Sequence, residues 1–176
     1  MRNAVALVLC LIDCLYVYSQ SSEDSFWNKF STISFPYVVT EDTFDILHCD
    51  VDENQTDISV CEFEKYLKNS DVRYAEIVGF GYHPLLAVGK YDLDERRMVA
   101  LHYVNRHLFL TIYDKVNKRA IRSLPISFMD CGICVLARIM DSRTIIVDYY
   151  SLLLNDKKYL KSVNVVIDSD GKFRIL

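Results

Sequence analysis

From residue 74 to the end, the chain alternates short apolar stretches with clusters of turn residues, and this pattern limits the folds open to it. The stretches are Tyr74–Phe80, Leu85–Tyr91, Arg97–Val104, His107–Tyr113, Arg119–Ile126, Cys134–Met140, Thr144–Leu153, Leu160–Ile167 and Lys172–Leu176. Most are rich in Val, Ile, Leu, Tyr and Phe, the residues that fit a pleated surface. Between them lie Asp92–Glu95, Asn105-Arg106, Asp114–Lys118, Asp141–Arg143, Asn155–Lys157 and Asp168–Gly171. Short strands at regular spacing with tight turns predict an antiparallel meander of about eight strands. No strand–helix–strand alternation is present, which disfavours a parallel nucleotide-binding sheet. Five glycines and no glycine-rich loop leave no phosphate cradle.

The residues before the meander read differently. Phe26, Trp27, Phe30 and Ile33 recur at helical spacing behind the capping candidates Ser22–Ser25, predicting a short helix from about Asp24 to Thr32. Pro36 ends it, and Val38-Val39 starts a short strand. Ser59-Val60-Cys61-Glu62 fits a capping box, in which serine and glutamate satisfy each other's backbone N–H groups. Val60, Phe63, Tyr66 and Leu67 then share one face of a second short helix. The expected fold is mainly β: an antiparallel meander, blade-like or an open barrel or sandwich, with two short N-terminal helices. The N-terminal part covers 20–72 and the meander 73–176, as one domain.

Arg2, the apolar run Ala4–Ile12 and its continuation through Val17 form a secretory signal pattern, with Val17 and Ser19 at the −3 and −1 positions of a cut before Gln20. Asp13 is an unusual carboxylate in such a run, and a buried N-terminal helix or strand is the other reading. The run is too short and broken to span a bilayer, which takes about 20 apolar residues. Removing 19 of 176 residues leaves 157, enough for one core that buries roughly 70% of its unfolded surface. The expectation is a secreted or periplasmic protein without a transmembrane segment in the mature chain. The net charge is −4 with both signs interspersed, so no basic face marks a nucleic-acid partner.

Four cysteines follow residue 19: Cys49, Cys61, Cys131 and Cys134. In an exported protein they permit two disulfides in any of three connectivities, or buried thiols. A Cys49–Cys61 bridge would close a loop of 11 residues and contribute on the order of 3 kcal/mol. Cys61, near a helix start, is alternatively a modestly acidified free thiol. Cys131-Gly132-Ile133-Cys134 has the spacing of a redox couple, yet that chemistry places the first thiol at a helix N-terminus, and this pair enters a strand. Zinc needs about four soft ligands, for which His48, Cys49 or Cys61 could join the pair, but no second Cys-x-x-Cys exists.

Other chemistry-bearing residues are sparse. His102 and His107 flank a predicted turn, could face each other, and otherwise read as satisfied surface histidines. No Gly-x-Ser-x-Gly elbow is present. The pairs Asp92/Asp94 and Glu62/Glu64 fit solvated turn and helix positions. Asp168-Ser169-Asp170-Gly171 is too close to the last residue for a calcium hand and reads as a hairpin turn with glycine at positive φ. Asp114–Lys118 reads likewise, with Asn117 as its left-handed residue. Tyr82, His83, Tyr149 and Tyr150 could form an exposed aromatic patch for a protein or glycan partner, since tyrosine offers large contact area at low entropy cost. They could equally pair across strands to hold the sheet. No catalytic, cofactor-binding or metal-binding residue stands out.

Several segments together carry a resemblance. Phe26-Trp27-Asn28-Lys29-Phe30, then Phe35-Pro36-Tyr37, a short helix at Cys61–Leu67, the Gly89-Lys90-Tyr91 strand, the Tyr113–Lys118 hairpin and Asp168–Phe173 resemble a type of small secreted protein of Bacteroidota. The turn motifs also recur in β-propeller blades, and the meander looks similar to one and a half or two blades standing alone. The resemblance implies an exported, mainly β protein and brings no catalytic residues. The leading expectation is a non-catalytic interaction or structural module of the cell envelope or extracellular space. The alternatives are an exported enzyme using His and acidic side chains of the sheet face, or a thiol- or metal-linked protein using its cysteines.

Overall fold

The computed structural model describes residues 22–42, 57–69, 72–74, 85–130, 132–153 and 156–176. The expected signal segment, all but the first residue of the stretch expected as a strand over Tyr74–Phe80, and His48, Cys49, Cys131, Tyr82 and His83 lie outside these residues. Helix α1 spans 22–27, and α2, Val60–Glu62, continues as a wider helical turn over Phe63–Leu67. The strands are β1 Ser31–Thr32, β2 Tyr37–Val38, β3 Leu85–Asp92, β4 Arg97–Val104, β5 His107–Asp114, β6 Arg119–Asp130, β7 Ile133–Ile139, β8 Thr144–Leu153, β9 Asp156–Ile167 and β10 Phe173–Ile175.

The protein is mainly β, built on one open sheet in the order β1-β3-β4-β5-β6-β7-β8-β9-β10, with β2 added against β7. Every neighbour from β3 onward is antiparallel, as the meander pattern predicts. Among the long strands β3–β9 the ladder is shortest between β6 and β7, which pair only at Phe128–Val135, Met129–Cys134 and Asp130–Ile133. The strands therefore divide into two four-stranded halves, β3–β6 and β7–β10. The sheet curls so that both halves turn one face to a shared core. Val99, Leu101 and Leu110 pack there, and so do Ala137, Ile145 and Val165. Curling brings distant turns together. The Arg97 guanidinium donates to the Ser169 carbonyl at 2.6 Å, and Arg143 lies 3.8 Å from Asp94.

The two helices cover the outer face of β4 and β5. Trp27 meets Tyr113 at 4.7 Å, Phe26 stacks on Tyr66 at 4.5 Å, and Tyr74 meets Phe109 at 4.9 Å. Strand β5 is thus buried along its whole length, on both faces. The Ser59–Glu62 capping box is present: the Ser59 N–H donates to Glu62 at 2.8 Å and the Glu62 N–H to Ser59 Oγ at 3.3 Å.

Two local expectations are corrected. Helix α1 stops at 27 rather than Thr32, because Ser31–Thr32 joins the sheet as a parallel strand beside Gly89 and Lys90. The Ile33 N–H bonds the Lys90 carbonyl at 3.0 Å, and its side chain sits where a Cβ on Gly89 would be, 2.5 Å from Cγ1. In the 114–118 hairpin the left-handed residue is Lys118, at φ 50, not Asn117. The Asp114 carboxylate holds the N–H groups of Val116 and Asn117, so the reversal falls one residue later. Gly171 takes φ 75, as the terminal hairpin requires.

Candidate functional site

Successive strand residues point to opposite faces. On β7, Val135, Ala137 and Ile139 enter the core, so Cys134, Leu136 and Arg138 face outward. Their register partners on β8, Tyr150, Asp148 and Ile146, share that outer face, and Ser162 and Tyr159 of β9 continue it. The segment 38–42, following β2, stands beside these strands. Between them lies a concavity of about 810 Å³.

A polar chain crosses its floor. Arg138 Nε donates to Asp148 Oδ2 at 3.0 Å. Asp148 is buried and also accepts from Ser162 Oγ, which in turn accepts from the Tyr159 hydroxyl at 2.9 Å. At the rim Lys157 pairs with Glu41, whose carboxylate holds the ammonium above its ordinary pKa. That ammonium lies 4.0 Å from the Tyr150 ring centroid, a cation–π contact. The Tyr150 and Tyr159 rings meet edge to face at 5.8 Å. Tyr159 is 54% exposed and forms the open platform of the site.

Of the expected patch, Tyr82 and His83 lie outside the described residues, and Tyr149 and Tyr150 face opposite sides of β8. Tyr150 lines the concavity, while Tyr149, one residue earlier, packs on the opposite face against the core under Lys161. Adjacent tyrosines on a strand cannot share a face, which a two-residue motif conceals. Cys134 opposes Tyr150 in register and is buried, and burial pushes its thiol pKa upward. A redox nucleophile needs the reverse shift. Cys61 is exposed, and both described cysteines are free thiols, so neither stands in a disulfide. Among the described residues no three His, Cys, Asp or Glu side chains converge as a metal site would require. Nor is any described helix long and apolar enough to cross a membrane.

The expectation of surface histidines is overturned. His102 is fully buried and His107 nearly so, both against Phe109 beneath or beside the helical layer. They are diagonal neighbours, not an opposed pair, because His102 pairs with Phe109 and Val104 with His107. Burial drives the His102 pKa down to about 3, with the Ala100 backbone opposing weakly. Burial lowers His107 as well, against the Asp130 charge. They occupy the β4–β5 half, whereas Ser162 and Asp148 lie on the outer face of the other half. No Ser–His–Asp arrangement forms among the described residues.

A second concavity, about 680 Å³, lies among the turns at the end of the sheet that holds Arg97 and Ser169. Four of its charges are spent on the turns themselves. Arg97 pairs with Asp94 and Arg96 with Asp114. The acidic residue Asp94 is thus a turn lock that takes the N–H groups of Arg96 and Arg97, and Glu62 serves its capping box and Lys29.

Sequence reasoning singled out Tyr150 but passed over Arg138, Asp148, Tyr159 and Ser162. One signal was available: Asp148 interrupts the apolar run Thr144–Leu153, and a carboxylate inside a strand needs a partner. Comparison with protein families, curated proteins and solved structures finds no match.

Proposed function

We propose that this protein is an exported, non-catalytic binding module that seats its partner on the outer face of β7, β8 and β9. The observation that carries the reading is the concavity of about 810 Å³ with an exposed tyrosine platform and a polar floor. Ligand sites combine such shape with a few placed polar groups. The same floor supports binding over turnover. The Ser162 hydroxyl donates to Asp148, whose carboxylate is itself tied up by Arg138, and the described histidines sit elsewhere. The signal-like N-terminal pattern supports export.

The test compares wild-type protein with Tyr159→Ala on a panel of immobilised extracellular polysaccharides and peptides. The reading expects retention by the wild type and at least tenfold weaker retention by the variant, with unchanged circular dichroism. Equal retention of both proteins would place binding elsewhere. Chemical conversion of the retained partner would replace the module with an enzyme.

A further inference from the structure

We infer that the seat on β7–β9 recognises an uncharged, hydroxyl-rich sugar, an inference that rests on the reading of that face as the binding site. The charges argue first. Arg138 is bonded to Asp148, and Lys157 to Glu41. An anionic ligand that took Arg138 or Lys157 whole would draw it away from its carboxylate, and a cationic ligand that took Asp148 or Glu41 would do the converse. Either would strand the displaced partner, and Asp148 is buried, so its loss of Arg138 would be costly. A neutral ligand leaves both pairs intact.

The remaining hydrogen-bond capacity argues next. A guanidinium has five N–H donors, and Arg138 directs Nε and one Nη at Asp148, leaving outward donors on a side chain that is partly exposed. Ser162 and Tyr159 add hydroxyl lone pairs. Donors of β7 and acceptors of β9 thus lie on either side of Asp148 on β8. Vicinal hydroxyls, each both donor and acceptor, match such a row, whereas a peptide backbone offers them at fixed alternation along an edge.

The rings argue third. Lys157 already occupies one face of Tyr150, so a second cation has no place there. Tyr159, more than half exposed, offers an electron-rich face to the weakly positive C–H face of a pyranose. Tyr159 therefore stacks the sugar, and Arg138 and Ser162 read its hydroxyls.

The test is a binding titration of purified protein with three probe sets: neutral glucan, mannan and xylan oligosaccharides; uronate and sulfated oligosaccharides; and extended peptides. Each is measured at 50 and 500 mM NaCl, with Tyr159→Ala, Tyr159→Phe and Ser162→Ala alongside. The expected result is binding of at least one neutral sugar, changed less than twofold by salt, since no ion pair is traded. Affinity falls at least tenfold in Tyr159→Ala and is largely kept in Tyr159→Phe. Preference for acidic sugars or for peptides, abolished by Tyr159→Ala, would overturn the sugar assignment and leave the seat standing. Neutral-sugar binding indifferent to all three variants would overturn the seat. Failure to bind any probe at millimolar concentration would overturn the inference.

Discussion

Asp114→Asn should destabilise the protein by about 2–3 kcal/mol, although it changes only one charge near the surface. The Asp114 side chain is 5% exposed and accepts five hydrogen bonds. One oxygen takes the Val116 and Asn117 N–H groups at 2.9 and 3.0 Å. The other takes Arg96 Nε and Nη2 at 3.1 and 2.7 Å and the Asn117 amide at 2.8 Å. An asparagine amide must point its own N–H groups at one of these donor sets. Bonds to a charged acceptor contribute about 1.5–3 kcal/mol each, but Arg96 can rehydrate. Its side chain is 60% exposed, so that pair is screened and accounts for less than about 1 kcal/mol. Arg96→Ala should therefore cost under about 1 kcal/mol, and most of the loss in Asp114→Asn comes from the turn itself. For a chain of this size the expected fall in Tm for Asp114→Asn is about 5–10 °C. Arg96, followed by the turn N–H groups, holds the Asp114 carboxyl well below its ordinary pKa of 3.8. The folded state thus favours the ionised form. Its contribution is present in full above pH 4 and fades as pH falls through the depressed value, where the variant and wild type should converge. Urea melts of the three proteins at pH 7 supply the comparison. A cost for Arg96→Ala equal to that for Asp114→Asn, or a cost for Asp114→Asn under about 0.5 kcal/mol, would refute the partition.

His102, neutral in the fold with a pKa of about 3 against an ordinary 6.5, makes stability rise with pH between those values. The slope approaches about 1.4 kcal/mol per pH unit, the gain is complete above pH 6.5, and the slope should flatten in His102→Phe when Tm is followed from pH 4 to 7. Gly89→Val should displace Ile33 and detach β1, which hydrogen exchange would register as lost protection at Ile33 with the β4–β5 amides unchanged. Lys118→Gly relieves a left-handed non-glycine residue at the loss of a partly exposed ion pair to Glu23, so a net gain of about 0.5–1 kcal/mol is expected by chemical denaturation.

The meander was legible because turn residues separate most strands from Leu85 onward, and those strands begin and end within a few residues of the signals, while the β6–β7 boundary carried no such cluster. The Ser59–Glu62 cap was legible because its chemistry is local. What escaped was non-local. Ser31–Thr32 reads as helix by spacing, yet pairing with Gly89 and Lys90 outweighs a marginal last turn. His102 and His107 read as surface residues because nothing local reveals that Phe63 and Tyr74 close over β4 and β5. The candidate site was the least legible part. Tyr150 was visible as an aromatic, but its partner Tyr159 reaches it through a register shifted by a bulge between Tyr149 and Tyr150. That shift sets which β9 side chains share the Tyr150 face, and no composition or spacing signal encodes it.

The most direct test of the binding seat is an amide chemical-shift titration of isotopically labelled protein with a neutral oligosaccharide. The account predicts saturable shifts confined to Leu136, Arg138, Asp148, Tyr150, Tyr159, Ser162 and segment 38–42, with the sugar's own spectrum unchanged over days. Shifts centred on the helical layer around Trp27 and Tyr66, or steady conversion of the sugar, would contradict it.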